Sequence, residues 1–116
     1  DALEGRQKED STRFEDQVDA VRSSVDEAIR LRLRADVPVG AYLSGGVDSS
    51  IVASQAARQV SHLHAFGLAF EDSPRHNEFA FAQDVARRNA NIELHRVPVT
   101  YREMVRRLPE TVWHLE

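Results

Sequence analysis

Within Leu43 to Ser50 the chain reads LSGGVDSS, which places the hydroxyls of Ser44, Ser49 and Ser50, two adjacent glycines and the carboxylate of Asp48 on one short segment. Glycine takes backbone angles that side chains forbid, so Gly45 and Gly46 let main-chain amides approach a ligand closely. A helix that starts just after them aims its unsatisfied N–H groups at the same point. Amides, hydroxyls and a helix start share one chemistry, the holding of phosphate oxygens. Asp48 would repel a phosphate unless a divalent cation stands between the two, which points to Mg²⁺. The purely structural alternative is that Asp48 caps the helix and the glycines only make a tight turn.

Better-known glycine motifs do not fit this segment. A Walker loop begun at Gly40 would need lysine after Gly45, and position 46 is glycine. A nucleophile elbow centred on Ser44 would need glycine at position 42, which is tyrosine. The dinucleotide pattern G-x-G-x-x-G fails because the glycines here are adjacent.

The elements that must position this turn follow from hydrophobic periodicity. The first thirteen residues are charged and aperiodic, which reads as a polar lead-in or linker over 1–13. Phe14, Val18, Val21, Val25, Ala28 and Ile29 then recur at helical spacing, predicting an amphipathic helix over 14–34 whose arginines Arg30, Arg32 and Arg34 complement the dipole at its end. A short apolar run, Val37 to Leu43, predicts a buried strand that ends at the glycines. Helical composition over 49–60, a second strand over His62 to Phe70, a helix over Asn77 to Ala90 and a third strand over Ile92 to Val99 complete a βαβαβ order. Thr100 and Glu103 form a capping box for a short helix through Leu108, and Pro109 is suited to begin another. The expected fold is α/β, a parallel sheet with helices on both faces. Ligands of such sheets bind beyond the carboxyl ends of the strands, and the turn after Leu43 and the loop Glu71 to Glu78 both lie there.

Composition limits what this edge can serve. A chain of 116 residues fits one modest domain, and its net charge of −4 argues against a general polyanion surface, so no nucleic-acid partner is expected. With no cysteine there is neither a disulfide nor a thiolate nucleophile. No apolar run approaches a membrane span or a signal-peptide core, and a cytoplasmic location without a membrane partner is the expectation.

The loop LSGGVDSS, placed after the first strand, resembles the pyrophosphate-binding loop S-G-G-x-D-S of the ATP pyrophosphatase superfamily. The wider run from Leu31 to Ala53, the segment from Ala65 to Ala86 and the ending LPETVWHLE from Leu108 to Glu116 are similar to the glutamine-hydrolysing asparagine synthases. The stretch HNE at 76–78 departs from them, since many relatives have an aspartate before the glutamate. The resemblance implies a Rossmann-like domain of the PP-loop type, of which residues 14–116 would be the first part. It implies that Leu43 and Leu68 contact adenine, that Ser44, Gly45, Gly46, Ser49 and Ser50 hold the phosphates of ATP, and that Asp48 binds Mg²⁺. It assigns no catalytic residue to this chain. The family's reaction adenylates aspartate, and ammonia from an upstream glutaminase domain displaces AMP to give asparagine. The isolated segment is expected to be inactive. Alternatives are a PP-loop ligase with another acceptor, as in β-lactam formation, and a non-catalytic nucleotide-binding module. The oligomeric state is open, a homodimer included.

Other candidates are weaker. His62 and His64 alternate on a strand and share a face in a metal-like way, but two histidines without a third ligand favour a surface or packing role. Glu71 and Asp72 could meet substrate or metal at the strand end, and loop solubility explains them equally well.

Overall fold

The computed structural model describes residues 2–73, 75 and 77–115. The chain divides into two compact units, 1–36 and 37–116. The first is the helix α1, Ala2–Arg32, with Arg30 and Arg32 in its last turn. Helical structure therefore extends through the segment expected to be an irregular lead-in. That segment lacks an apolar period, but Ala2, Leu3, Glu4, Arg6, Gln7 and Lys8 are strong helix formers, and propensity rather than amphipathicity accounts for the extension. Along the outer surface Arg30 pairs with Glu27 at 2.6 Å and Arg22 with Asp19 at 3.1 Å, each one turn apart.

The second unit runs β1 (Gly40–Tyr42), α2 (Val47–Ala57), β2 (Leu63–Phe70), α3 (Phe79–Arg88), β3 (Ile92–Val99) and α4 (Tyr101–Leu115). The strands form one parallel sheet in the order β1-β2-β3. β1 is shorter than its apolar run because the run contains Pro38, which offers no N–H to a ladder. Successive strands are neighbours, so right-handed crossovers place α2 and α3 on the same face.

The alternation along β2 records that arrangement. Leu63, Ala65, Gly67 and Ala69 are buried, whereas Phe66 and Leu68 on the other face are 40% and 52% exposed. The buried face is made of small side chains and meets Ala53, Ala56 and Ala57 of α2 and Ala82 of α3, which lets both helices lie close to the sheet. Leu43 and Leu63 are the largest fully buried side chains. The α/β class and the parallel sheet agree with the sequence. Of the expected cover on two faces, the crossover helices supply one, and the face of Phe66 and Leu68 keeps an exposed apolar surface.

Polar side chains close the loops at the amino-terminal edge of the sheet. Asn91 Nδ2 donates to the carbonyls of Ala57 and Val60 at 2.7 and 2.9 Å, satisfying acceptors that the end of α2 leaves free. The Thr100–Glu103 capping box forms as expected: Glu103 N–H donates to Thr100 Oγ1 at 3.2 Å, and Thr100 N–H donates to the Glu103 carboxylate at 3.4 Å. The helix it starts is not two helices. α4 continues through Pro109 to Leu115, so the missing N–H of Pro109 removes one ladder bond without ending the helix.

Candidate functional site

The turn between β1 and α2 stands at the carboxyl edge of the sheet. Leu43 extends the ladder by donating its N–H to Phe66 O at 2.9 Å, and the chain leaves the sheet at Ser44. Gly45 then adopts φ +88°, the left-handed region that favours glycine. A Cβ on Gly45 would stand 2.5 Å from Phe81 Cβ and 2.8 Å from Ala82 N, so the turn lies directly on the first turn of α3. Gly46 is the N-cap of α2, extended at φ −69° and ψ 163°. In this way the sequence uses one glycine for its backbone angle and its close contact, and the other to enter the helix.

The serines brace this turn. Ser44 Oγ and Ser49 Oγ lie 2.9 Å apart, and Ser44 N–H and Gly46 N–H each meet one of these hydroxyls at 3.3 Å. The Ser50 hydroxyl donates to Gly46 O at 2.7 Å. All of the sequence-predicted phosphate ligands from Ser44 to Ser50 are thus brought together on one turn. The Ser44 and Ser49 hydroxyls bond each other, and those of Ser49 and Ser50 reach the Gly46 carbonyl at 3.2 and 2.7 Å.

No side-chain hydrogen bond caps α2. Asp48 is not the N-cap but an exposed residue of the first helical turn, and among the described residues it has no ion-pair partner. The capping role considered for it from the sequence is therefore not the one it plays. Its carboxylate can complement the positive end of the helix dipole, and it is free to ligate a hydrated divalent cation beside the turn.

Next to the turn, on the exposed face of the sheet, lies a pocket of about 240 Å³ lined by Tyr42, Leu43 and Ser44, by Phe66, Leu68 and Phe70 of β2, and by Glu78 at the start of α3. Leu68 is 52% exposed on that face, whereas Leu43 is wholly buried at its edge. Phe66 and Phe70 were not singled out from the sequence. The period-two spacing from Leu68 was the signal that could have found them.

The acids of the following loop have structural partners. The Asp72 carboxylate accepts from Tyr101 N–H at 3.0 and 3.2 Å and so caps α4, and Glu71 meets Arg96 at 3.3 Å. His76, within the HNE stretch, lies outside the described residues. His62 and His64 do share a face, and the neighbouring strand brings Glu93 and His95 to them.

The turn at the start of α2 and the apolar slot beside it lie within the part of the chain that comparison with known proteins matches. The sequence profile of the family described as asparagine synthase matches residues 20–116. Amidase chyE of Penicillium rubens is 34% identical over 92% of this chain and 18% of its own length. The glutamine-hydrolysing asparagine synthetase 1 of Bacillus subtilis is 34% identical over 85% of the chain and 15% of its own length. The glutamine-hydrolysing asparagine synthetase of Brassica oleracea is 32% identical over 84% of the chain and 18% of its own length. The chain thus spans less than a fifth of the relatives it matches. With a profile match across most of its residues, the chain belongs to the asparagine synthase family.

Proposed function

We propose that this chain is the ATP-binding part of a glutamine-hydrolysing asparagine synthase, which adenylates aspartate and transfers ammonia to it, giving asparagine, AMP and pyrophosphate. Residues 14–116 are the amino-terminal part of the ATP-binding domain. An upstream glutaminase domain supplies the ammonia, and the protein acts in the cytoplasm. The observation that carries this reading is the Ser44 to Ser50 turn, with Gly45 in the left-handed region and α2 starting at Val47.

The roles follow from the geometry of that turn. Ser44, Ser49 and Ser50 donate hydroxyls and Gly45 and Gly46 expose amides to the phosphates, while the start of α2 adds its unpaired N–H groups. Asp48 would hold Mg²⁺, which supplies positive charge to the phosphates. Adenine lies against Leu68, with Leu43 at the edge, in the slot beside Phe66. The turn has no lysine to draw the terminal phosphoryl group, so its donors serve a departing pyrophosphate. Attack by a carboxylate oxygen then falls on the α-phosphate.

The test is product analysis with the full-length protein supplied with ATP, aspartate and ammonia. AMP and pyrophosphate should appear in step with asparagine. ADP and inorganic phosphate as primary products would overturn the reading. AMP and pyrophosphate without asparagine would keep the adenylation and move the acceptor toward another amide-forming ligase; absence of all turnover alongside ATP binding would leave a nucleotide-binding module.

A further inference from the structure

We propose that His62, His64 and Glu93, with His95 beside them, form a binding site for one divalent transition cation of the zinc class, at the amino-terminal end of β2 and β3. The site does not depend on the nucleotide-binding reading. The parallel register sets Glu93 beside His64 and His95 beside Phe66, so residues from two strands converge on one face of the sheet. His62 stands one step before β2 and reaches the same carboxylate.

The donor atoms lie close together. His62 Nε2 lies 2.9 Å from Glu93 Oε2, His64 Nδ1 lies 3.6 Å from that oxygen, and His95 Nε2 lies 2.9 Å from His64 Nδ1 and 3.6 Å from Glu93 Oε1. Ligand atoms of His62, His64 and Glu93 all fall within 4.8 Å of one another. A tetrahedral zinc with bonds near 2.05 Å has its ligands about 3.3 Å apart, and the His62–Glu93 and His64–Glu93 separations of 2.9 and 3.6 Å lie on either side of that value. Small side-chain rotations, with no movement of the strands, are enough to bring these atoms onto one ion.

The donor chemistry selects the ion. Imidazole nitrogens with a carboxylate suit zinc and its neighbours in the transition series, whereas magnesium and calcium require oxygen. His62 and Glu93 have half-exposed side chains, so an ion can enter from solvent. The rival account is a hydrogen-bonded surface cluster that binds no ion. On that account the imidazoles and the carboxylate are gathered only by exposed pair interactions, each of little net worth.

Calorimetric titration of Zn²⁺ into the metal-free chain, in a buffer that does not coordinate metals, decides between them, with visible absorption of the Co²⁺ form as a second readout. One saturable site and the intense bands of tetrahedral Co²⁺ are expected. Outer-sphere partners of metal ligands are worth 10–100-fold in affinity, so loss of a ligand in His62→Gln or Glu93→Gln should weaken binding at least about 10-fold. His114→Gln, on exposed α4, should leave it unchanged. Circular dichroism and melting without metal should match across the variants, and Zn²⁺ should raise the melting temperature of the native sequence but not of the two ligand variants. No saturable uptake would overturn the site, as would uptake that survives both ligand substitutions or is lost in His114→Gln.

Discussion

Substitution of Gly45 by alanine separates a turn that is built for close contact from one that merely bends. At φ +88° a Cβ crowds the following carbonyl oxygen, a cost of about 1–2 kcal/mol. The same atom would stand 2.5 Å from Phe81 Cβ, 2.8 Å from Ala82 N and 3.0 Å from Phe81 C, and two of these three are backbone atoms that no rotamer change can move. Pushing α3 away from the turn is overpacking, which costs about 1–3 kcal/mol. Alanine's smaller unfolded-state entropy returns about 0.4–1 kcal/mol. The net loss is about 1–4.5 kcal/mol, and for a domain of this size each kcal/mol lowers the melting temperature by about 4–8 °C. Gly46→Ala is the internal control. Its φ is −69°, and a Cβ there meets only Ser44 Oγ at 3.4 Å, so its stability should stay within about 1 kcal/mol of the native sequence. Urea denaturation followed by circular dichroism measures both. Native stability in Gly45→Ala, or an equal loss in Gly46→Ala, would show that the turn does not rest on α3 as described.

Asp48→Asn should weaken Mg²⁺-ATP binding at least about tenfold in calorimetry, while losing only the 0.3–1 kcal/mol or so that a charge at a helix start contributes; an equal effect on ATP without Mg²⁺ would remove the cation from its role. The native chain itself should bind Mg²⁺-ATP no better than micromolar, because its 240 Å³ slot is smaller than the roughly 300–1,000 Å³ of complete ligand pockets, and submicromolar affinity would refute this. Asn91→Ala strands two carbonyls at the end of α2 and should cost about 1–3 kcal/mol in urea denaturation, whereas Asn91→Asp, which keeps the shape but not the N–H donors, should not restore it. The hydrogen bond from Arg30, followed by its charge, holds the Glu27 carboxyl below the ordinary carboxylate range. A depressed folded-state value means that this contribution is present above the unfolded-state value and is lost as pH falls through the folded one; Arg30→Gln should move the Glu27 titration, read by NMR, upward, and an unmoved midpoint would show the pair to be open in solution.

Much of this fold was legible because β2 and β3 carry runs that end where turn residues begin. β3 occupies Ile92–Val99, the range its apolar run predicts, and β2 loses only His62 from its predicted start. The turn was legible for a different reason, since adjacent glycines before an acid and two serines have few other uses. Periodicity failed where it was asked to stand for propensity or for a third dimension. It read 2–13 as irregular although strong helix formers dominate its first turns, and it split α4 at Pro109 although one missing donor does not end a helix. Glu93 was invisible as a third ligand because its nearness to His64 exists only through the strand register, 29 positions along the chain.

The exposed face of β2 ties these results together. Reading along it, His62 just ahead of the strand and His64 within it give way to Phe66, Leu68 and Phe70, so one strand face passes from imidazole to hydrocarbon over its length. The change falls between His64 and Phe66, two residues apart on that face, and the His95 ring stacks on Phe66 with centroids 5.0 Å apart, so the two ends adjoin. The apolar end abuts the phosphate turn through the Leu43 ladder bond, and the polar end meets Glu93 and His95. The buried face of the same strand is Leu63, Ala65, Gly67 and Ala69, side chains small enough after Leu63 to hold α2 and α3 at close range and so to fix where α2 begins. Alternation along one strand therefore sets both the position of the start of α2 and the apolar surface beside it, where the proposed function puts the phosphates and the base. Enlarging Ala65 or Ala69 would act on the phosphate turn through the helices, whereas changing His64 would not, because its side chain stands on the face that α2 and α3 never touch.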